Sequence, residues 1–193
     1  MCEMLTNEDC ELSGFDLSQS MIDTARVKAK RKKLNIRYEC QDAASFEMGE
    51  TYDAAYSFFD SLNYITDTDQ LRSAIKQVAK HLRPGGSFIF DLNTAYAFEA
   101  DLFTQEDMKE KSKVRYKWVS DWNPETRIIK VQMRFWYEGD EYEEVHIQRA
   151  HTDEEIRSYL EEAGFQDTQA FHSYSLNKPR AKSDRIHYAT RLG

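Results

Sequence analysis

The strongest constraint on this chain is the succession of two periodicities in its first half. Short apolar runs at Glu11–Asp16, Ile36–Cys40, Tyr52–Phe59 and Ser87–Phe90 read as strands, and segments of helical period separate them. Ser18 can cap the first helix, which runs to about Lys33 and places Met21, Ile22, Ala25 and Ala29 on one face. Its basic end, Lys28 to Lys33, suits a helix C-terminus. The second helix starts near Asp67–Asp69 and carries Leu71, Ile75, Val78, Ala79 and Leu82 on one stripe, until Arg83-Pro-Gly-Gly86 stops it. Alternating strands and helices predict right-handed crossovers and a parallel sheet covered on both faces. The near-continuous apolar strands fit such burial. The expected class is α/β.

The second half changes period. Val114–Trp122, Arg127–Tyr137 and Tyr142–His151 alternate in twos, with Ile129, Val131, Met133, Phe135 and Tyr137 on one face and Lys130, Gln132 and Arg134 on the other. Asn123-Pro-Glu and Glu138-Gly-Asp are turn signals, so a three-strand antiparallel meander is expected at about residues 112–151, inserted in a single domain spanning 1–193. Thr152-Asp-Glu-Glu155 is a capping box for a helix whose stripe is Ile156, Tyr159, Leu160 and Ala163, and Gly164-Phe165 ends it. Two last strands fall near Gln166–Tyr174 and Arg185–Arg191.

Composition excludes several classes. With 26 Lys and Arg against 34 Asp and Glu the net charge is −8, which argues against nucleic-acid binding, since phosphate neutralisation needs a basic face. No apolar run approaches the ~18–20 residues of a membrane span. The start of the chain lacks the basic and apolar regions of a signal peptide. Cys2, Cys10 and Cys40 are too few and too oddly numbered for a disulfide framework, and they and the five histidines lack ligand-like spacing, so no metal site is expected. A cytoplasmic protein is the resulting expectation.

In an open α/β sheet, ligands bind beyond the carboxyl ends of the strands. Those ends carry Asp16-Leu17-Ser18, then Cys40-Gln-Asp-Ala43, then Phe58-Phe-Asp-Ser-Leu-Asn-Tyr64, then Asp91-Leu-Asn-Thr94. An acid at a strand tip can accept from both hydroxyls of a ribose, or it can merely cap the next helix. Asp42 could take an adenine amino group or be an ordinary loop carboxylate.

Four motifs, in order and spacing, carry a family resemblance: Ser13-Gly-Phe-Asp-Leu-Ser-Gln-Ser-Met21, Cys40-Gln-Asp-Ala43, Tyr52-Asp-Ala-Ala-Tyr-Ser-Phe-Phe-Asp-Ser-Leu-Asn-Tyr64 and Leu82-Arg-Pro-Gly-Gly-Ser-Phe-Ile-Phe-Asp-Leu-Asn93. They resemble class I S-adenosylmethionine-dependent methyltransferases of the branch acting on small molecules. Ala163-Gly-Phe165 and Ser183-Asp-Arg-Ile-His-Tyr-Ala189 resemble that family's last helix and closing strands, and the meander resembles an insertion of this branch. The resemblance implies a Rossmann-like sheet in the order 3-2-1-4-5-7-6 with an antiparallel last strand. It also implies S-adenosylmethionine as cofactor and in-line methyl transfer to a small-molecule acceptor. Asp16 would hold the ribose diol, with Leu17 beside it. Met21 would pack on the adenine, Asp42 and Ala43 would read its edge, and Phe58 would pass beneath the methionine part. Asp60, Asn63 and Tyr64 would face the acceptor. Neither a general base nor the acceptor's identity follows from the motifs: His146, His151, Asp60 and Tyr64 are candidates, and His146, alternating with Val145 and Ile147, could point to solvent. The aromatic residues of the meander could form a lid, a contact with a second copy of the chain, or a satellite core.

The sequence departs from the family in one respect. The family's first motif, a strand and a Gly-x-Gly loop that wraps the cofactor, has no counterpart, and no Gly-x-Gly occurs among the seven glycines. Met1-Cys-Glu-Met-Leu5 resembles the end of the helix that follows that loop. The expectation is a chain short of its first central strand. Three explanations are open: a gene fragment, direct pairing of the flanking strands, or a strand from another chain. On this reading the chain as written holds the cofactor weakly or not at all. A catalytically inactive binding or assembly subunit is the alternative function, and a Rossmann dehydrogenase a third, disfavoured by the antiparallel end strands.

Overall fold

The computed structural model describes residues 10–193, so the expectation for Met1–Leu5 lies outside the described residues. The chain divides into two compact units, one ending at Gly49 and one beginning at Glu50.

In the first unit, strand β1 (Leu12–Asp16) pairs in parallel with β2 (Ile36–Cys40), Asp16 opposite Cys40, and helix α1 (Gln19–Arg31) connects them. Ser18 caps α1 as expected, its side chain accepting from Met21 N, and Lys28, Lys30 and Arg31 occupy the last turn, where the helix dipole favours cations. The buried face of α1 consists of Ile22 and Ala29, with Ala25 half-buried. Met21 departs from the expected stripe. It lies in the first turn beside the cap and is 58% exposed.

The second unit is built on a four-stranded sheet in the order β3–β4–β10–β9. Strand β3 (Tyr52–Ser57) is parallel to β4 (Leu82–Asn93), whereas β10 (Arg185–Leu192) runs antiparallel to both β4 and β9 (Phe165–His172). This sheet matches the 4-5-7-6 part of the expected order, and β1 and β2 pair by themselves in the first unit. Helix α2 (Thr68–Lys80) is capped by Asp67, which accepts from Asp69 N and Gln70 N. Its stripe ends sooner than expected, because Leu82 belongs to β4. The Arg83-Pro-Gly-Gly86 segment is likewise part of β4. Between the pairs Tyr52↔Leu82 and Ala54↔Ser87 the β4 chain makes five steps against two, so the segment bulges out of the ladder where Pro84 has no N–H to offer. Gly86 is required there, since a Cβ would meet Arg83 O at 2.8 Å.

One face of the sheet is apolar and packs on α2 and on α4 (Asp153–Glu162): Phe88, Phe90 and Leu92 of β4 and Tyr188 of β10 meet Leu71, Ile75, Ile156 and Leu160. The capping box forms in both directions, with Thr152 N donating to Glu155 Oε2 at 2.7 Å and Glu155 N to Thr152 Oγ1 at 3.0 Å. Strand alternation then sends Asp91 and Asn93 of β4, and Arg185 and His187 of β10, to the opposite face.

A second sheet has four strands, in the order β5–β6–β7–β8, instead of three. Strands β6 (Val114–Asn123), β7 (Ile128–Tyr137) and β8 (Asp140–Arg149) form the expected meander, and the three-residue β5 (Gln105–Asp107), too short to show a period, adds an edge. The short helix α3 (Ala95–Glu99) follows β4, and its Phe98 packs with Ile129, Val131 and Ala150, flanked by Phe103, Trp118 and Trp122. The aromatic residues of the meander therefore contribute to a satellite core.

Candidate active site

The carboxyl ends of β1 and β2 present two exposed acids in the first unit. Asp16 Oδ1 accepts from Ser18 N at 2.8 Å, and Asp42 Oδ1 accepts from Ala44 N at 2.8 Å. Each carboxylate thus anchors its own turn through one oxygen and keeps capacity for a ligand. Leu17, 72% exposed, and Met21 flank Asp16, and Ala43 sits half-buried beside Asp42. Two carboxylates able to accept from ligand hydroxyls or amines, with exposed apolar side chains beside them, form an acceptor set that fits a nucleoside: diol to acid, ring to apolar surface. The residues present fit S-adenosylmethionine on this count.

The second unit is organised differently, around a strained turn. β3 stops at Ser57, so Phe58 and Phe59 lie beyond the strand, and both Phe59 (φ 61°) and Asp60 (φ 54°) adopt left-handed backbone. Such conformations cost of order 1–2 kcal/mol for a residue with a Cβ and persist when surrounding contacts over-determine them. Asp91 supplies those contacts. Its Oδ1 accepts from Asp60 N at 2.7 Å and its Oδ2 from Phe59 N at 3.2 Å. The turn thereby exposes the Phe59 ring and sends the Asp60 carboxylate inward, onto Arg185 Nη2 at 2.9 Å and Gln148 Nε2 at 2.6 Å.

Arg185 also reaches Asp91 Oδ2 through Nη1 at 2.9 Å, and His187 Nε2 lies 3.6 Å from the same oxygen. The ladder explains this convergence, because Arg185 pairs with Asn93 and His187 with Asp91. Burial would lower the Arg185 pKa, but the Asp60 hydrogen bond and the Asp91 charge outweigh it and raise it. Burial likewise depresses His187, against the attraction of Asp91.

The short 3-10 turn Ser61–Tyr64 follows. Asn63 is fully buried and structural: its Nδ2 donates to the carbonyls of Asn93 (3.1 Å) and Arg149 (2.8 Å), and its Oδ1 accepts from Asn93 N (2.9 Å). Asn93 Nδ2 in turn donates to Gln148 Oε1 at 3.2 Å. Tyr64 is partly exposed. Its hydroxyl hydrogen-bonds His146 Nδ1 at 2.7 Å, and His146 Nε2 lies 3.0 Å from Glu144 Oε2. Burial raises the Tyr64 pKa, against a hydrogen bond from Gln148 and with the negative charges of Asp60 and Glu144 adding to the rise.

Two sequence expectations change here. His146 turns inward, and its neighbours Val145 and Ile147 are the exposed ones. The polar residues Glu144, His146 and Gln148 share the inner face of β8 because that face lies over a polar turn and not over a hydrophobic core. His151 is buried, with Nε2 3.0 Å from Ile65 O, and desolvation holds its pKa at about 4, so it is a neutral structural group. Sequence reasoning gave no role to Asp91, Asn93, Gln148, Arg185 or His187. The signal available was their polarity inside runs otherwise apolar. Among the described residues no helix is long and apolar enough to cross a membrane, and no cluster of three or more His, Cys, Asp or Glu is placed to hold a metal.

Comparison with known proteins agrees with this geometry. Residues 1–86 match the model of a methyltransferase domain. A protein of Geobacillus sp. (strain WCH70) assigned as a methyltransferase is 24% identical over 97% of this chain and 78% of its own length. The crystal structure of an S-adenosylmethionine-dependent methyltransferase from Clostridium acetobutylicum superposes with a TM-score of 0.91 at 29% identity, covering all of this chain and 79% of that one. A Streptomyces venezuelae enzyme named as dTDP-3-amino-3,4,6-trideoxy-alpha-D-glucopyranose N,N-dimethyltransferase is 30% identical over 46% of this chain and 36% of its own.

Proposed function

We propose that this chain, a class I S-adenosylmethionine-dependent methyltransferase, acts on a small polar acceptor through a hydroxyl or amine. When bound, the cofactor supplies a methyl group already activated on sulfonium, so the protein's contribution is alignment and exclusion of water. In the first unit Asp16 takes the ribose diol, Leu17 and Met21 cover the adenine, and Asp42 and Ala43 hold its edge. In the second, Phe58 supports the methionine part, and the turn from Phe59 to Tyr64 presents the acceptor face, with Asp60 held in place by Arg185 and Gln148. Asn63 is reassigned from acceptor contact to the support of that turn, since its hydrogen-bonding atoms are engaged by backbone.

The observation that carries this reading is the pair of exposed strand-end carboxylates, Asp16 and Asp42, beside the exposed apolar side chains of Leu17 and Met21. An amino-sugar-like acceptor is favoured by the relative named as an aminosugar N,N-dimethyltransferase. Cytoplasmic placement and self-pairing through the meander belong to the same proposal; cell fractionation and analytical ultracentrifugation read them. Calorimetry with S-adenosylmethionine, followed by transfer of labelled methyl to pooled amines, hydroxyls and carboxylates, tests the function. Weak but saturable binding with labelling of one pool is expected. Binding that survives unchanged in both Asp16→Ala and Asp42→Ala would remove the nucleoside assignment.

A further inference from the structure

Strand β8 lays one face over the turn that follows β3, and the two contacts it makes there differ in kind. Gln148 reaches Asp60, which Arg185 also holds, so that contact is structural. His146, two residues away on the same face, reaches Tyr64, a residue 44% exposed whose ring lies edge-on to the imidazole at 5.7 Å between centroids. Glu144, two residues further along that face, takes the other ring nitrogen at 3.0 Å.

These three groups form a directed chain. A carboxylate can only accept, so Glu144 fixes the proton of a neutral imidazole on Nε2. Nδ1 is then an acceptor, and the Tyr64 hydroxyl must donate to it. The Tyr64 oxygen, which also takes a hydrogen bond from Gln148, keeps one lone pair for a ligand donor, on a side chain a ligand can reach, beyond the carboxyl end of a parallel strand where α/β sheets bind ligands.

We infer that Tyr64, backed by His146 and Glu144, receives the proton of the acceptor's nucleophile during methyl transfer. The inference rests on the reading of Tyr64 as part of the acceptor face. As the bond from nucleophile to methyl carbon forms and the sulfur–carbon bond breaks with its pair left on sulfur, the nucleophile's proton passes to Tyr64 Oη. The proton already on Oη passes to His146 Nδ1, and the resulting imidazolium is stabilised by Glu144. Tyr64 is the catalytic residue; His146 and Glu144 position and charge it. The titratable groups acting on Tyr64 are Asp60 on its own turn and Glu144 and His146 on β8. Burial and the two carboxylates raise the Tyr64 pKa, which keeps it protonated and makes it a conduit and not a standing phenolate.

Two measurements test this. Nitrogen-15 NMR of histidine-labelled protein, without cofactor, should show His146 as the Nε2–H tautomer, with its Nδ1 resonance displaced in Y64F. An Nδ1–H tautomer, or an Nδ1 signal indifferent to Y64F, overturns the relay. In turnover, H146Q and Y64F should lower kcat by about 10²–10⁴-fold, the usual range for a positioned proton acceptor, with cofactor affinity unchanged. E144Q should lower kcat less. Variants that turn over at the wild-type rate across pH overturn the inference. A wild-type chain that binds cofactor but labels no acceptor breaks the functional reading instead, while the NMR arm still decides the relay.

Discussion

The two units use carboxylates in opposite ways. Asp16 and Asp42 are exposed, and each holds only the N–H of its own turn. Asp91 is 1% exposed, accepts from two backbone amides and forms an ion pair with Arg185, while Asp60 is half-buried between Arg185 and Gln148. An acid that serves a ligand must keep acceptor capacity facing outward, whereas an acid that serves the fold must be saturated by it. The contrast separates binding from scaffolding more sharply than residue type could, since all four are aspartates at strand ends.

Substitutions should divide along the same line. Asp91→Ala leaves Arg185 buried without one of its partners and releases a left-handed turn, so it should destabilise the fold by about 3–5 kcal/mol, the range for breaking a buried ion pair. Urea denaturation measures this, and a loss below about 1 kcal/mol would deny Asp91 its scaffolding role. His151 yields the next effect, as a pH dependence. The folded protein holds it neutral down to about pH 4, whereas the unfolded chain titrates near 6.5. The unfolded state therefore binds more protons in that window. Stability from this residue is complete above pH 6.5 and falls as pH drops towards 4, by up to about 1.4 kcal/mol per unit. Comparing denaturation midpoints of wild type and His151→Gln between pH 7.5 and 5 isolates it, and identical slopes would contradict the burial argument.

Asp16→Ala should reverse the pattern of Asp91→Ala. Stability should stay within about 0.5 kcal/mol of wild type, while cofactor affinity drops by roughly 1–3 kcal/mol, the range for hydrogen bonds to a charged group. A melting temperature that fell with affinity intact would move Asp16 to the scaffold. Thr152→Ala should give the smallest effect, about 1 kcal/mol of stability from the lost capping box, read by thermal melting with no change in cofactor binding.

Much of this was legible along the chain. Local signals such as the Ser18 and Asp67 caps, the Thr152–Glu155 box and the alternation of β7 act over a few residues, and each forms as its residues dictate. The bulge at Arg83–Gly86 was legible as a break but not as one inside a strand, because Pro and Gly mark departure from a ladder without saying whether the ladder resumes. The orientation of β8 was not legible: Val145 and Ile147 are apolar and His146 is not, so periodicity alone turns the wrong face inward.

The sequence by itself determined the alternation of strands and helices, the caps that bound the helices, and the acids at the carboxyl ends of β1 and β2. These depend on neighbours within one or two turns. Only the tertiary structure decided that Arg185 closes on Asp60, 125 residues away, and on Asp91, and that β8 carries His146 to Tyr64. The antiparallel return of β10 beside β4 sets the first, and the position of the meander over the turn after β3 sets the second. A buried polar group is satisfied by whichever partner the packing delivers, and that partner leaves no local mark in the chain.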